Sequence, residues 1–365
     1  MRVCIDARKI NDSGIGTYIK NLLKEIAISD VSHEYFILEG VAGSTESFLG
    51  KLPQNFTPVH VRSKIFGFME QIELPLLIIK NRIDIFHSTH YFLPFIKTCR
   101  YCVTICDLIP MIFPEQFSLL KRSYLMAMIR WAVINSDRIF SISEATKNDI
   151  VKLFGEKYEK KTDVILLAAE NCVQNLLEAE TSQDQFFKAN NIVKGEYLLY
   201  VGLGKPHKNL ERLVAAHEKL NIKNSIQLVL VGNIDKELPF LKNKANIIIT
   251  GKVSDDQLAA IYFNAKIFVL VSLLEGFGLP ILEAMASGVA VVTSNISSMP
   301  EVAGDAAEIV DPYSVDSIYN GILGLLKDEN KRRRYIELGY ERIKRFSWHD
   351  TAIQTIASYE SVLKQ

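Results

Sequence analysis

Apolar residues along this chain gather in short blocks, separated by longer amphipathic stretches, and the two alternate from end to end. Apolar blocks of about four to eight residues bounded by turn formers read as buried strands, and the amphipathic stretches between them as helices. In the first half, residues 3–6, 35–38, 83–87, 101–106 and 138–141 read as strands, with helical stretches such as 18–27 between them. A fresh series starts at residues 197–202 and continues through 226–232, 247–251, 267–271 and 289–293. Alternation of this kind predicts α/β architecture with parallel sheets. Cap signals agree: Ser254 and Gln257 have capping-box spacing after Gly251, and Ser143 can cap a helix beginning near Glu144. The polar segment between residues 169 and 195 separates the two series and is the expected hinge. The chain reads as two Rossmann-like halves without a short internal repeat.

Composition narrows the function classes. A length of 365 residues fits about two or three domains of ~150 residues. With 48% hydrophobic and 23% charged residues the chain is an ordinary globular protein. Lys+Arg and Asp+Glu are both 42, so bulk charge argues for no nucleic-acid partner. Apolar runs such as 74–79 fall far short of the ~20 residues of a membrane span. The start, Met1-Arg2-Val3-Cys4-Ile5-Asp6, meets an aspartate too early for a signal peptide. Five cysteines are a sparse, odd set, consistent with a reducing compartment, and a cytoplasmic location is expected. Cys99 and Cys102 form a Cys-x-x-Cys with Cys106 nearby, but no second pair completes a zinc site. Cys102 and Cys106 alternate along a strand, so core packing is the reading and no metal is expected.

The chemistry concentrates in three loops. Between Glu275 and Glu283, Gly276 and Gly278 let backbone approach a ligand, Pro280 suits a first helical turn, and Gly288 can end that helix. A helix N-terminus favours anionic groups and the glutamates can accept hydrogen bonds from hydroxyls, so a sugar nucleotide fits. An ordinary strand-to-helix turn is the alternative. Gly14-Ile15-Gly16-Thr17 opens the first helix, where a phosphate can reach backbone N–H groups. A dinucleotide fingerprint would need glycine at position 19, which is Ile19, so a plain turn pair competes with the phosphate reading. The run from Gly202 to Asn209 places Lys205 and Lys208 at a βα turn, where phosphates bind in open α/β sheets; the alternative is a solvated basic loop.

In their order and spacing these motifs make the sequence resemble the family 4 glycosyltransferases of the GT-B fold, in particular bacterial mannosyl- or rhamnosyltransferases of O-antigen and capsule assembly. The resemblance spans nearly the whole chain: Gly14-Ile15-Gly16-Thr17-Tyr18, His87-Ser88-Thr89-His90, Pro206-His207-Lys208-Asn209, the two glutamates, Glu283-Ala284-Met285-Ala286-Ser287-Gly288, Pro300-Glu301-Val302-Ala303-Gly304 and a closing Phe346-Ser347-Trp348 helix. It implies two facing Rossmann-like domains, residues 1–175 for the acceptor and 195–346 for the nucleotide sugar, with the site in the cleft between them. A last helix, 347–365, would return to the N-terminal domain. It further implies that Glu283 holds the ribose hydroxyls and Glu275 the sugar. Backbone of Gly276, Phe277, Gly278 and Leu279 would face sugar and phosphate. Lys208, Lys205, Gly16, Gly14 and Gly202 would serve the diphosphate, and Lys252 and Val253 would frame the base. Transfer is expected with retention and without a cofactor or metal, from a GDP- or UDP-linked donor to a glycan or lipid-linked oligosaccharide. No Asp-x-Asp triplet occurs in the chain.

Two departures from the family pattern matter. Cys106-Asp107-Leu108 stands where His-Asp-Leu is usual, which removes a strong hydrogen-bonding group near the sugar's outer hydroxyl and points to a 6-deoxy donor or another way of reading position 6. His207 and Leu203 stand where arginines are common, leaving more of the diphosphate role to Lys208. His87 and His90, at a strand end, are expected acceptor contacts, and Asp107 aims at sugar or acceptor. The stretch 119–133 mixes basic, aromatic and aliphatic residues and reads either as an amphipathic core helix or as a peripheral contact at the inner face of the membrane. Lys331-Arg332-Arg333-Arg334 reads as a solvated helix face. Two other classes stay open: a catalytically lapsed scaffold of the same fold and a nucleotide-dependent oxidoreductase.

Overall fold

Apolar blocks buried on both faces form two parallel sheets. In the first, β1 (Arg2–Asp6), β2 (Glu34–Glu39), β3 (Phe56–His60), β4 (Ile85–Ser88), β5 (Arg100–Ile105), β6 (Arg138–Ser141) and β7 (Thr162–Val164) lie in the order β3-β2-β1-β4-β5-β6-β7. In the second, β8 (Tyr197–Val201), β9 (Gln227–Val231), β10 (Ile247–Gly251), β11 (Ile267–Leu270), β12 (Ala290–Ser294) and β13 (Ala307–Val310) lie in the order β10-β9-β8-β11-β12-β13. Strand pairs in both sheets are parallel, with Ile5 opposite His87 in one and Leu198 opposite Ile267 in the other. Each sheet reverses its strand order beside its first strand, which is the Rossmann-like plan. The computed structural model describes residues 1–12, 14–169, 183–221, 225–234, 238, 241, 244 and 246–364. Most of the expected hinge, residues 170–182, lies outside the described residues.

The chain divides into two compact units, Met1–Leu167 with Ser347–Gln365, and Ala168–Phe346. The last helix, Trp348–Leu363, packs within the first unit along helix Ile15–Ser29. Ser347 caps it by accepting from the Asp350 N–H, and Thr351 Oγ1 donates to the Leu166 carbonyl at 2.6 Å. Trp348 and Tyr359 are buried there. The cap signals take the expected form: Ser143 accepts from the Thr146 N–H, and Ser254 and Gln257 close a capping box.

Three strands lack a legible block in the sequence. β3 carries Pro58 and is mostly exposed, as suits an edge strand whose proline cannot donate to a ladder. β7 is only three residues long, and in β13 Glu308 interrupts the apolar block. Cys102 is fully buried in β5, and Cys4, Cys99, Cys102 and Cys106 are free thiols. Helix Leu119–Asn135 buries Leu125, Met128, Ile129, Ala132 and Val133 while its first residues are exposed. No helix among the described residues is long and apolar enough to cross a membrane. No metal-binding group of histidine, cysteine or acidic residues occurs among them.

Candidate active site

In open parallel sheets, ligands bind beyond the carboxyl ends of the strands where the order reverses. In the second unit those strands are β8 and β11, so the loops after Val201 and Leu270 occupy the switch point. Lys205, His207 and Lys208 lie at a 3-10 turn, Pro206–Lys208, which Asn209 terminates in the left-handed region at φ 60°. The Asn209 amide donates to the Val271 carbonyl at 2.9 Å and to the Pro312 carbonyl at 2.8 Å. The Leu273 N–H donates to the His207 carbonyl at 2.7 Å. The two loops are thereby stitched together by the Asn209 side chain and one backbone bond.

That stitching puts the Lys208 ammonium 2.8 Å from both carboxylate oxygens of Glu275. Ser272 Oγ donates to Glu275 Oε1 at 2.7 Å. The Glu275 backbone is held as firmly, by the Ser297 hydroxyl on its N–H and by Ser297 and Ser298 on its carbonyl. The pair is partly exposed, 19% for the lysine side chain and 11% for the glutamate, so a ligand can reach it. Burial pushes His207 down to about 4, with Lys208 adding to the effect, so at neutral pH the positive charge of this turn belongs to the lysines.

Gly278, at φ 104°, begins the eight-residue helix Leu279–Ala286, with Pro280 in its first turn. Only glycine adopts that backbone without strain. Pro280 has no N–H and the Ile281 N–H donates to the Gly278 carbonyl at 2.9 Å, and the helix start carries partial positive charge. Glu283 lies in the middle of this helix, half-buried, with the Tyr262 hydroxyl donating to its Oε2 at 2.8 Å. Gly202 follows β8, its N–H donating to Val231, while exposed Lys252 and half-buried Val253 follow β10. Glu275, Glu283, Lys208 and the first-turn amides thus share one strand-end region of the second unit.

The first unit uses its own switch point, β1 against β4, differently. Asp6 ends β1, and the Arg8 guanidinium donates to it twice, at 2.8 and 2.5 Å, and also to Glu70. All three side chains are sealed, at 1% exposure or less. Two buried carboxylates sharing one guanidinium cannot both stay easily ionised. Burial pushes Glu70 up to about 7, while Arg8 holds Asp6 below the usual carboxylate range despite its burial. Gly14 is exposed at the start of helix Ile15–Ser29, and Gly16 is buried against the loop. A Cβ at Gly16 would sit 2.5 Å from the Ile10 carbonyl oxygen, so packing alone demands glycine there.

The acceptor histidines differ from their expectation. His87 is fully buried, and its ring nitrogens meet the Tyr359 hydroxyl at 2.6 Å and Thr104 Oγ1 at 2.7 Å. It fastens the C-terminal helix to β4 and β5, and both ring nitrogens are used inside the fold. Burial pushes it down to about 3. His90 is 3% exposed, packed against Phe66 and Phe92, and pushed down to about 4. Cys106 and Asp107 follow β5, half-buried. Burial pushes the Cys106 thiol up to about 12, and Asp107 Oδ1 accepts from the Ile109 N–H at 3.0 Å.

Sequence reasoning missed Arg8 and Glu70, and also Ser272, Ser297, Ser298 and Tyr262, which position the two glutamates. Arg8 and Glu70 are 62 residues apart and Lys208 and Glu275 are 67, and no local pattern reports such pairings. A signal did exist at Asn209, since asparagine after a lysine-bearing turn is a common left-handed terminator.

The two halves match two family descriptions: Glycosyltransferase Family 4 over residues 13–166 and Glycosyl transferases group 1 over residues 182–342. Between them the two matches take in most of the chain, which is a glycosyltransferase. This glycosyltransferase is 28% identical over 377 aligned positions to O-antigen chain mannosyltransferase B of Escherichia coli, covering 95% of this chain and 96% of that one. Among solved structures it resembles sucrose-phosphate synthase from Thermosynechococcus elongatus, with a TM-score of 0.78 at 17% identity, over 100% and 99% of the two chains. It also resembles Anabaena HepE in complex with UDP and glucose, with a TM-score of 0.75 at 16% identity, over 99% and 100%. These likenesses establish the GT-B fold, two Rossmann-like domains built on parallel sheets.

Proposed function

We propose that this glycosyltransferase moves a hexosyl or 6-deoxyhexosyl group from a nucleotide sugar, GDP-linked in preference to UDP-linked, to a lipid-linked glycan in bacterial surface polysaccharide synthesis. Transfer would retain the anomeric configuration and need no metal. The observation that carries the reading is the Lys208–Glu275 pair, reachable at the β8/β11 switch point and followed by the N-terminus of helix Leu279–Ala286. The O-antigen mannosyltransferase relative supports a surface-glycan acceptor and a mannose-type donor. A HepE complex with UDP-glucose supports nucleotide-sugar binding by this fold.

Departure of a nucleoside diphosphate builds negative charge while the sugar becomes oxocarbenium-like. Lys208, Lys205 and the helix N-terminus would stabilise that charge. Glu275, braced by Lys208 and Ser272, accepts from sugar hydroxyls, and Glu283, oriented by Tyr262, accepts from the ribose. Backbone at Lys252 and Val253 frames the base, and Gly202 lets backbone approach the diphosphate. Glu275 and Glu283 share one loop-helix segment, unlike glycosidase carboxylates opposed across a bond at ~5–10 Å. They position, and the leaving phosphate takes the acceptor's proton. Cys106, a weaker hydrogen-bonding group than histidine, favours a 6-deoxy donor, and Asp107 would serve sugar or acceptor.

The test is transfer from a panel of GDP- and UDP-sugars in the presence of EDTA, with the product anomer read by NMR. Transfer is expected from a GDP-hexose or GDP-6-deoxyhexose, undiminished by EDTA and with the donor's anomeric configuration kept. An inverted product, or activity abolished by EDTA, would overturn the mechanism. Exclusive use of UDP-sugars would overturn the base preference, and a clear kinetic preference for a 6-hydroxyl donor would remove the role given to Cys106.

A further inference from the structure

Helix Glu70–Lys80 buries Leu74, Pro75 and Ile78 but leaves a second apolar stripe uncovered. Met69, Ile72, Leu76 and Ile79, spaced three, four and three residues apart, are 61, 47, 61 and 59% exposed. That spacing sets them on one face. The stripe continues onto neighbouring segments. Phe68 precedes it at 82% exposure, and Phe95 and Ile96 lie beside it at 48 and 64%. The Phe95 N–H donates to Gln71 Oε1 at 2.7 Å, and its ring stands 5.2 Å from that of Trp131. Helix Leu119–Asn135 joins through the Tyr124 hydroxyl, which donates to the Phe66 carbonyl at 3.1 Å. One turn earlier on the same face, Leu120 is 88% exposed. Single exposed apolar residues are ordinary, but a linked set on three adjoining segments is not.

The exposed charge around this face is mostly basic, and the exposed Asp84 beyond it accepts from the Arg2 N–H at 2.7 Å. Arg62 and Lys64 stand exposed before the helix, Lys80 and Arg82 at its end, and Lys121 and Arg130 on the neighbouring helix. Acidic residues in residues 62–82, 94–97 and 119–135 number two, Glu70 and Glu73. Glu70 is sealed against Arg8, and Glu73 accepts from the N–H groups of Arg62 and Ser63 at 2.9 and 2.7 Å. In a chain of zero formal charge this is a local excess. An isologous dimer through the face would set basic groups against basic groups, which disfavours a second copy.

We infer that this face of the first unit docks on the surface of an anionic bilayer, the apolar stripe entering the interface and the basic rim meeting lipid phosphates. An exposed apolar stripe with a cationic border is the chemistry of helices that lie in a membrane interface. Its use in reaching a lipid-linked acceptor rests on the function proposed above; the binding itself does not.

The experiment is co-sedimentation of the full chain with vesicles of phosphatidylglycerol and phosphatidylcholine, or of phosphatidylcholine alone, at low and high salt. Binding is expected to the anionic vesicles and to weaken with salt. Each basic group near an anionic surface contributes about fivefold, so K80E with R82E should weaken binding at least tenfold. Ile72→Ser with Leu76→Ser should abolish it. Both double variants alter exposed side chains and should keep the wild-type thermal transition and sugar-nucleotide response. Failure of the wild type to sediment, or variants that bind as the wild type does, would overturn the inference. Light scattering that shows a doubled mass, lost in the Ile72/Leu76 variant, would also overturn it and give the face to a second copy. Because binding is read without turnover, its loss and a failure of the transferase reading are separable.

Discussion

The two units follow one plan yet place charge at their switch points in opposite ways. At β1/β4, Asp6, Arg8 and Glu70 form a sealed cluster in which every charge serves the fold. At β8/β11, Lys208 and Glu275 form a pair that solvent can reach, on loops fixed by Asn209, Ser297 and Ser298. A buried ion pair is costly to break because the survivor is stranded, whereas a reachable pair can exchange one partner for a ligand. The same strand-end geometry therefore yields a sealed cluster in one unit and a reachable pair in the other.

The sharpest way to break that contrast is to remove one cation from each. Arg8→Met should destabilise the protein by about 3–5 kcal/mol, because two buried carboxylates lose their partner; denaturant midpoints measure it, and a change well below that would deny the cluster its structural role. Lys208→Ala should lower turnover about 10²–10³-fold while changing stability by about 1 kcal/mol. Loss of folding with turnover per folded molecule unchanged would invert the assignment. His87 sharpens the comparison through pH. Its folded value, about 3, lies below the ordinary 6.5, so the unfolded chain binds a proton that the folded one refuses. Its contribution is present above pH 6.5 and is lost as pH falls from there toward 3, at up to about 1.4 kcal/mol per pH unit. His87→Gln should therefore show a smaller loss of urea midpoint between pH 7 and pH 5 than the wild type; an equal loss would place the acid sensitivity elsewhere. The smallest effect is expected at Tyr262→Phe. Losing one hydrogen bond to Glu283, worth about 1 kcal/mol, should raise the donor KM about fivefold with kcat little changed; an unchanged KM would detach Glu283 from the donor.

The sequence exposes the central strands because they are continuous apolar runs buried on both faces, as at Tyr197–Val201 and Gln227–Val231. It hides β3, where Pro58 and exposure erase the pattern, and β13, where Glu308 interrupts the apolar block. At the site, glycines, a proline and lysines at βα turns are local signals and were readable. What joins them is not local: Lys208 finds Glu275 through loop hydrogen bonds that only the folded sheet brings within reach. His87 shows the converse. Its position at a strand end reads as functional, but the partner that defines it, Tyr359, lies 272 residues away on the last helix. The exposed stripe of helix Glu70–Lys80 was missed for a similar reason. The helix is apolar on two faces, and only the tertiary packing shows which one is covered.

The central claim is that the Lys208–Glu275 loop pair holds a sugar nucleotide. The most direct measurement is a thermal-shift panel of GDP-, UDP- and dTDP-sugars with NAD as a control, run on the wild type and on Glu275→Ala. A ligand at 100 times its dissociation constant adds about 2.7 kcal/mol of stability, which gives a readily measured shift. The account predicts a shift with a sugar nucleotide, greatest for a GDP-sugar, that weakens in Glu275→Ala, and none with NAD. A shift with NAD alone, or a sugar-nucleotide shift that survives the substitution unchanged, would contradict it.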